Sequence, residues 1–346
     1  MGCNSSTFQA ARRVRRGVKW GYVLFLPLFA GCGGAEDAKR LGRLPTSGTL
    51  VTVIGPSQDD PAWPATRGGI RRFAEHAEYL RIETMTPSAR NVAEKRALFE
   101  QELGRKPAAI VLFVTDADVD RRLAERAAEE SVLLVTVGAR LNGVRPFAHV
   151  EPDLPALAER LAERLPDIAG EQRTYALIHD RGANEMATRC HDHFMRVARL
   201  KTSLVQLAEC NAFESNRIAD DVIAEFCGRF RHLGLIVLLG ATDTPRAASA
   251  IGAGQTRLVV LSATPDHWGL LESGKAAALA GPLDGELGYT LARVTAEGLN
   301  GDVRPGRTHP VPCEIVTPAE LPGFEQRYAE AAGMELSVLL ESVRGK

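Results

Sequence analysis

The sequence lacks the short motifs that carry chemistry by themselves. It has no Gly-x-Ser-x-Gly nucleophile elbow, no phosphate-binding loop, no His-Glu-x-x-His and no paired Cys-x-x-Cys. Only scattered carboxylates remain for catalysis, so an enzyme is not expected. It lacks a basic excess as well: 42 Lys and Arg stand against 43 Asp and Glu, a net charge of −1. Nucleic acid needs a basic face, and that partner class is excluded. No short internal repeat is visible. Aromatics are few, at 6%. What is present is an ordinary globular balance, 45% hydrophobic and 25% charged, over 346 residues. That is enough for two domains, and it is not the composition of a disordered chain.

Charge is unevenly placed. Residues 1–31 carry Arg12, Arg13, Arg15, Arg16 and Lys19 and no acid. Without those five, 37 basic residues face 43 acidic ones, about −6 for a chain starting at Cys32. The basic cluster precedes an apolar run, Trp20 to Ala30 (WGYVLFLPLFA). That run is too short to span a bilayer, which takes ~20 residues. Basic start, short apolar middle and small residues at the end form an export signal. Its end, Phe29-Ala30-Gly31-Cys32, resembles the bacterial lipobox, which implies lipidation of Cys32 as the new first residue. An uncleaved signal anchor, or a signal peptide with an incidental cysteine, are the alternatives. Residues 33–47 are small and polar, a tether.

From residue 49 apolar, β-branched runs alternate with amphipathic stretches. Strands are expected at 49–54, 80–84, 108–114, 132–137, 146–150, 173–178, 202–207, 233–239, 257–262 and 276–280. Helices are expected near 63–79, 90–104, 117–129, 153–167, 183–199, 214–230, 244–252 and 284–299, with a last one from about 318. In 153–167, Leu154, Leu157, Leu161 and Leu165 form one apolar stripe. Near-continuous apolar strands separated by helices mean parallel sheets covered on both faces. Ten strands exceed one comfortable open sheet, so the fold class is α/β with two doubly wound, parallel-sheet lobes. Residues 301–313 (GDVRPGRTHPVPC), rich in Gly and Pro, read as a crossing linker.

Several segments, in order, resemble the type I periplasmic solute-binding proteins, especially the ribose- and galactose-binding branch. Ile54 to Trp63 (IGPSQDDPAW) is similar to that family's first strand and loop, and residues 65–73 to its first helix, with Gly69 at the family glycine. Ile110 to Asp116 resembles the third strand with its Thr-Asp, and Val132 to Val137 the fourth. Gly182 to Phe194 resembles the arginine-carrying helix, Gly240 to Asp243 (GATD) the Asn-Asp turn, and Gly274-Lys275 with Gly288 the glycine-lysine turn and crossover helix. The resemblance covers about residues 49–300. It implies two lobes joined by a three-segment hinge, with crossings near 142–150, 280–284 and 300–308. The segments are then 1–31 signal peptide, 32–47 tether, 48–145 plus 284–303 N-terminal lobe, and 146–283 plus 304–346 C-terminal lobe and tail.

Such a cleft stacks aromatics on sugar rings and reads hydroxyls with fixed polar groups. On that basis Asp60 and Trp63 line it from the first lobe; the alternatives are a turn or cap for Asp60 and core packing for Trp63. Asn91, opening the second helix, faces the cleft or caps that helix. The resemblance also places departures. Gly138-Ala139 stand where relatives have Asp-Arg, with Arg140 one place late. Cys190 stands at the helix arginine, with Arg189 one place early. Thr242 precedes a retained Asp243, Ser262-Ala263 replace Phe-Asp, and Pro282 replaces a glutamine. Arg140 and Arg189 then either hold an anionic ligand bidentately or are surface residues.

Cys190, Cys210, Cys227 and Cys313 leave one disulfide or free buried thiols open. The run Cys190-His191-Asp192-His193 suggests a metal, but adjacent helical residues diverge by about 100°, so no metal and no cofactor is expected. The resemblance implies a monomeric exported lipoprotein, anchored in the cell envelope or periplasm through Cys32. It would capture a small polar solute, sugar-like or anionic, and deliver it to an ABC-type permease. The alternative is a receptor with a degenerate cleft that signals to a sensor kinase. A repressor core of the same fold would need a helix-turn-helix where the export signal stands.

Overall fold

The computed structural model describes residues 48–183, 185–201, 203–215, 217–240, 248–251, 256–302 and 304–344, all within the unit 41–346. Cys32 and Asp243 lie outside the described residues, and most of the expected 244–252 helix does too. No helix among the described residues is long and apolar enough to cross a membrane.

Twelve described strands form two six-stranded sheets. The first contains β1 (Thr49–Ile54), β2 (Leu80–Met85), β3 (Ala109–Val114), β4 (Leu133–Gly138), β5 (Ala148–Pro152) and β11 (Arg307–Val311), in the order β11-β5-β4-β3-β1-β2. The second contains β6 (Thr174–His179), β7 (Val205–Asn211), β8 (Leu235–Leu239), β9 (Arg257–Val260), β10 (Ala276–Pro282) and β12 (Cys313–Val316), in the order β12-β10-β9-β8-β6-β7. Every pairing is parallel except β10 with β12. The burial explains why these runs become strands: β8 (LIVLL) is buried at all five positions, as a parallel strand covered on both faces must be.

Helices cover both faces of each sheet. In the first lobe α1 (Trp63–Ala74) and α9 (Asp284–Asn300) lie on one face, and α2 (Val92–Gly104) and α3 (Ala117–Glu129) on the other. In the second lobe α4 (Leu154–Ala169) and α5 (Glu185–Lys201) cover one face. Leu157, Leu161 and Leu165 of the expected stripe are fully buried there. The other face takes α7 (Ala219–Arg229), the short α8 (Trp268–Glu272) and α10 (Leu321–Ala332). The expected 214–230 helix is split into α6 (Ala212–Ser215) and α7, and α11 (Leu336–Arg344) ends the described chain. The α1–α9 contact is made by glycine. A Cβ on Gly69 would sit 2.0 Å from the Gly285 carbonyl oxygen, and one on Gly288 1.8 Å from that of Thr66.

The chain passes between sheets at 152–154, 282–284 and 311–313. The second passage lies where the sequence puts it; the other two come later. Ala148–Pro152, assigned to the second lobe, pairs with β4 in the first sheet. Residues 301–313, read as linker, contain β11, which pairs with β5 at the sheet edge. Pro310 hides that strand in the sequence, and it is tolerated because an outermost strand has one side with no ladder partner. Helix α10 touches both lobes. Phe324 and Tyr328 pack edge-on against Trp268 in the second core, and the Tyr328 hydroxyl donates to the Pro61 carbonyl of the first lobe.

Candidate ligand-binding cleft

In the first sheet the strand order reverses between β1 and β3; in the second, between β6 and β8. Ligands of open α/β sheets bind where the carboxyl ends of the strands diverge at such a point. At the β1/β3 end a cavity of about 390 Å³ opens, lined by Ser57 and Asp60 after β1, Arg90 and Asn91 after β2, Lys95, and Asp116 after β3.

Its floor is rigid. Lys95 is 3% exposed, and its ammonium donates to the Phe113 carbonyl (2.7 Å), Thr115 Oγ1 (2.8 Å) and Asp120 Oδ2 (2.8 Å). All three protons are thereby used. Asp120 Oδ2 also accepts the amides of Thr115 and Asp116, so the β3 turn is pinned from beneath. Burial pushes the Lys95 ammonium below its usual range, against the pull of Asp120. Asn91 and Asp116 cap α2 and α3: each Oδ1 accepts two amides of the following turn. Asn91 therefore caps its helix and lines the cavity at once. Asp60 Oδ1 accepts the Ala62 amide at 2.9 Å. Burial raises the Asp60 carboxyl above its ordinary value. The Ala62 amide and Arg90 oppose this; the charges of Asp59 and of Asp266 in the second lobe add to it.

Trp63 does not line this cavity. It is 5% exposed, in the first-lobe core, edge-on to Phe113 with ring centroids 5.6 Å apart. Its position in the chain suits the cleft, but its ring turns under Gly55, where a Cβ would lie 2.9 Å from Trp63 Cη2. The core reading of this residue holds.

Arg140 and Arg189 do come together, but on a carboxylate of the protein. Arg140 donates to both Glu151 oxygens, from Nε at 3.2 Å and Nη2 at 2.8 Å. Arg189, from α5 of the other lobe, reaches Glu151 Oε1 at 3.6 Å. The sequence did not single out Glu151, at the end of β5. Behind it, His149 bridges Glu151 (3.2 Å) and Thr136 (2.8 Å). Burial works against ionisation of Glu151, but His149 and Arg140 outweigh it and hold the carboxyl down at about 2. A second cavity, about 650 Å³, lies over this row, between the β4–β5 loop and residues 305–308.

Cys190 is buried in the second-lobe core, and its thiol is pushed up to about 12 by that burial. All four described cysteines are free thiols. Beyond β9, Ser262 and Thr264 bond His267, and Thr264 donates to Asp266, which gives the second lobe a polar rim. Arg90, Lys95 and Asp116, which line the first cavity, and Glu151 and Asp266, which stand near its polar groups and arginines, were not singled out from the sequence. Asp116 alone carried a signal, an Asp at the end of an apolar strand and before a helix.

The periplasmic binding protein domain matches residues 51–302. The chain belongs to that family. It is a binding protein, not an enzyme. Solved structures agree in fold. AraP, an arabinose binding protein from Geobacillus stearothermophilus, superposes with a TM-score of 0.69 at 17% identity, covering 80% of this chain and 99% of that one. A mutant XylFII–LytSN complex gives 0.68 at 14%, covering 80% and 99%. GanP, a glucose-galactose binding protein from Geobacillus stearothermophilus, gives 0.64 at 16%, covering 80% and 100%. No curated protein matches the chain.

Proposed function

We propose that this periplasmic binding protein captures a neutral, polyhydroxylated solute of sugar size between its lobes and delivers it to an ABC-type importer. The observation that carries this reading is the set of hydroxyl-reading groups at the β1/β3 switch point, while Arg140 and Arg189 are drawn to Glu151. The groups at the β1/β3 switch point are the carboxylates of Asp60 and Asp116, the Asn91 amide and the Arg90 guanidinium, whose charge acts on Asp60. Such groups accept hydroxyl protons and donate through the amide and the guanidinium, as a polyhydroxylated ligand requires. Arabinose and glucose-galactose binding in the names of similar structures fits this ligand class. The export signal and Cys32 support an envelope lipoprotein, monomeric and tethered by residues 33–47.

A thermal-shift panel of neutral pentoses and hexoses against sugar acids and sugar phosphates tests the ligand class. A rise in melting temperature with neutral sugars supports the proposal; a rise with anions alone overturns it. Two of the similar structures are XylFII–LytSN complexes, and they favour sensing through a second protein as the other reading. Deleting the gene separates the two. Lost solute uptake supports delivery, whereas intact uptake with a lost transcriptional response supports sensing.

A further inference from the structure

At the far edge of the second sheet two imidazoles converge on one carboxylate oxygen. His179 ends β6, His191 lies on α5 and Glu209 on the edge strand β7. His179 Nε2 is 3.1 Å from Glu209 Oε1, and His191 Nε2 is 3.2 Å from the same atom. Both histidines are buried, at 4% and 8% exposure, while Glu209 opens to solvent. The donor atoms lie within 4.8 Å of one another. We propose that His179, His191 and Glu209 form a binding site for a borderline divalent cation such as Zn²⁺ or Co²⁺, with solvent completing the coordination.

Two of the three donor separations suit a tetrahedral metal site. Tetrahedral Zn–N and Zn–O bonds of about 2.0–2.2 Å put neighbouring donors about 3.3–3.5 Å apart. The separations of 3.1 and 3.2 Å are within a few tenths of an ångström of that edge. A cation would replace the proton that His179 Nε2 gives to Glu209 and would fill the gap between His191 Nε2 and the same oxygen. Two imidazoles and a carboxylate suit zinc, cobalt, nickel or copper rather than calcium or magnesium.

The surrounding shell is built for two of the three donors. His191 Nδ1 faces Asp192 Oδ1 at 3.0 Å, which fixes the ring with Nε2 free to bind. Asp192 is in turn held by Arg181 Nε at 3.0 Å. Glu209 Oε2 accepts from Gln206 Nε2 at 2.7 Å, and Gln206 Oε1 from the Tyr175 hydroxyl at 3.0 Å. His179 is the adjustable donor. Its Nδ1 now accepts the Arg181 amide at 3.2 Å, so the ring proton sits on Nε2. Metal binding there moves that proton to Nδ1 and turns the Arg181 amide away, at the loss of one long hydrogen bond. The run of alternating histidines on α5 gave no sign of this pairing. His193 points elsewhere, to Glu159, and the partners of His191 come from two strands.

Co²⁺ titration of the full chain, read by visible absorption, tests the site. One equivalent with a four- or five-coordinate spectrum is expected, displaced by Zn²⁺. Glu209→Gln alters an exposed side chain, and His179→Gln and His191→Asn remove one imidazole each. Each should weaken Co²⁺ binding about a hundred-fold or more, since even outer-shell changes reach that range. His193→Ala should bind as wild type does. No Co²⁺ spectrum, a spectrum unchanged in Glu209→Gln, or one lost in His193→Ala overturns the proposal. Circular dichroism confirms the fold of each variant, and Glu209→Gln decides alone should a histidine variant unfold. The outcome is independent of sugar binding in the cleft.

Discussion

Arg189 of the second lobe reaches Glu151 of the first, with 3.6 Å between Nη1 and Oε1, on the carboxylate that already holds Arg140. One buried acid thus joins the lobes and shares its single charge between Arg140 and Arg189. Glu151→Gln should lower stability by about 1.5–3 kcal/mol, the range for a bond to a charged group. It should also create affinity for small anions. Thermal unfolding with and without sugar acids measures both effects.

The same acid gives a pH dependence. Glu151 is held down at about 2 in the folded protein, below an ordinary glutamate near ~4.3. Its contribution is fully present above the unfolded value and is lost as pH falls through the folded one. Wild-type stability should therefore decline between about pH 4.3 and 2 more steeply than that of Glu151→Gln. Urea midpoints across that window show the difference; equal slopes would remove the ion pair from the account.

Lys95→Met leaves Asp120 charged and buried without its cation. Breaking a buried pair in this way costs about 3–5 kcal/mol. Lys95→Met with Asp120→Leu should recover part of that loss, as measured by denaturant unfolding of the single and double variants.

Trp63→Ala should destabilise by about 3–5 kcal/mol, the usual loss for a large aromatic removed from a core. The molecules that remain folded should bind ligand nearly as wild type does, because the ring packs on Phe113 and does not line the cavity. A variant that is stable but has lost affinity would return Trp63 to the cleft.

These residues show what the sequence could tell. The strand–helix alternation was legible because the central strands, such as β3 (AIVLFV) and β8 (LIVLL), are short apolar runs bounded by turns. β11 was not, because Pro310 and its Gly-rich approach carry loop chemistry while edge pairing needs only half a ladder. Asp60 and Asn91 were legible as polar residues just past strand ends. Trp63 occupies an equivalent place in the chain, but packing set its ring direction, and one sequence does not encode that locally. Glu151 went unread because its partners are 11 and 38 residues away, on a loop and on a helix of the other lobe.

Targeting is testable apart from the fold. Cys32→Ser should move the protein from the membrane fraction to the soluble exported fraction, followed by fractionation and immunoblotting. A variant that stays membrane-bound and unprocessed would make residues 20–31 an anchor.

In the proposed function a neutral solute is held by Asp60, Arg90, Asn91 and Asp116 at the β1/β3 switch point. Calorimetry of wild type and Asp60→Ala, titrated with the neutral sugar that stabilises the protein most, tests it directly. The loss of one bond to a charged group, about 1.5–3 kcal/mol, should weaken binding ten- to hundred-fold while the unfolding temperature of the free protein changes little. Unchanged affinity in a folded Asp60→Ala protein would contradict the account.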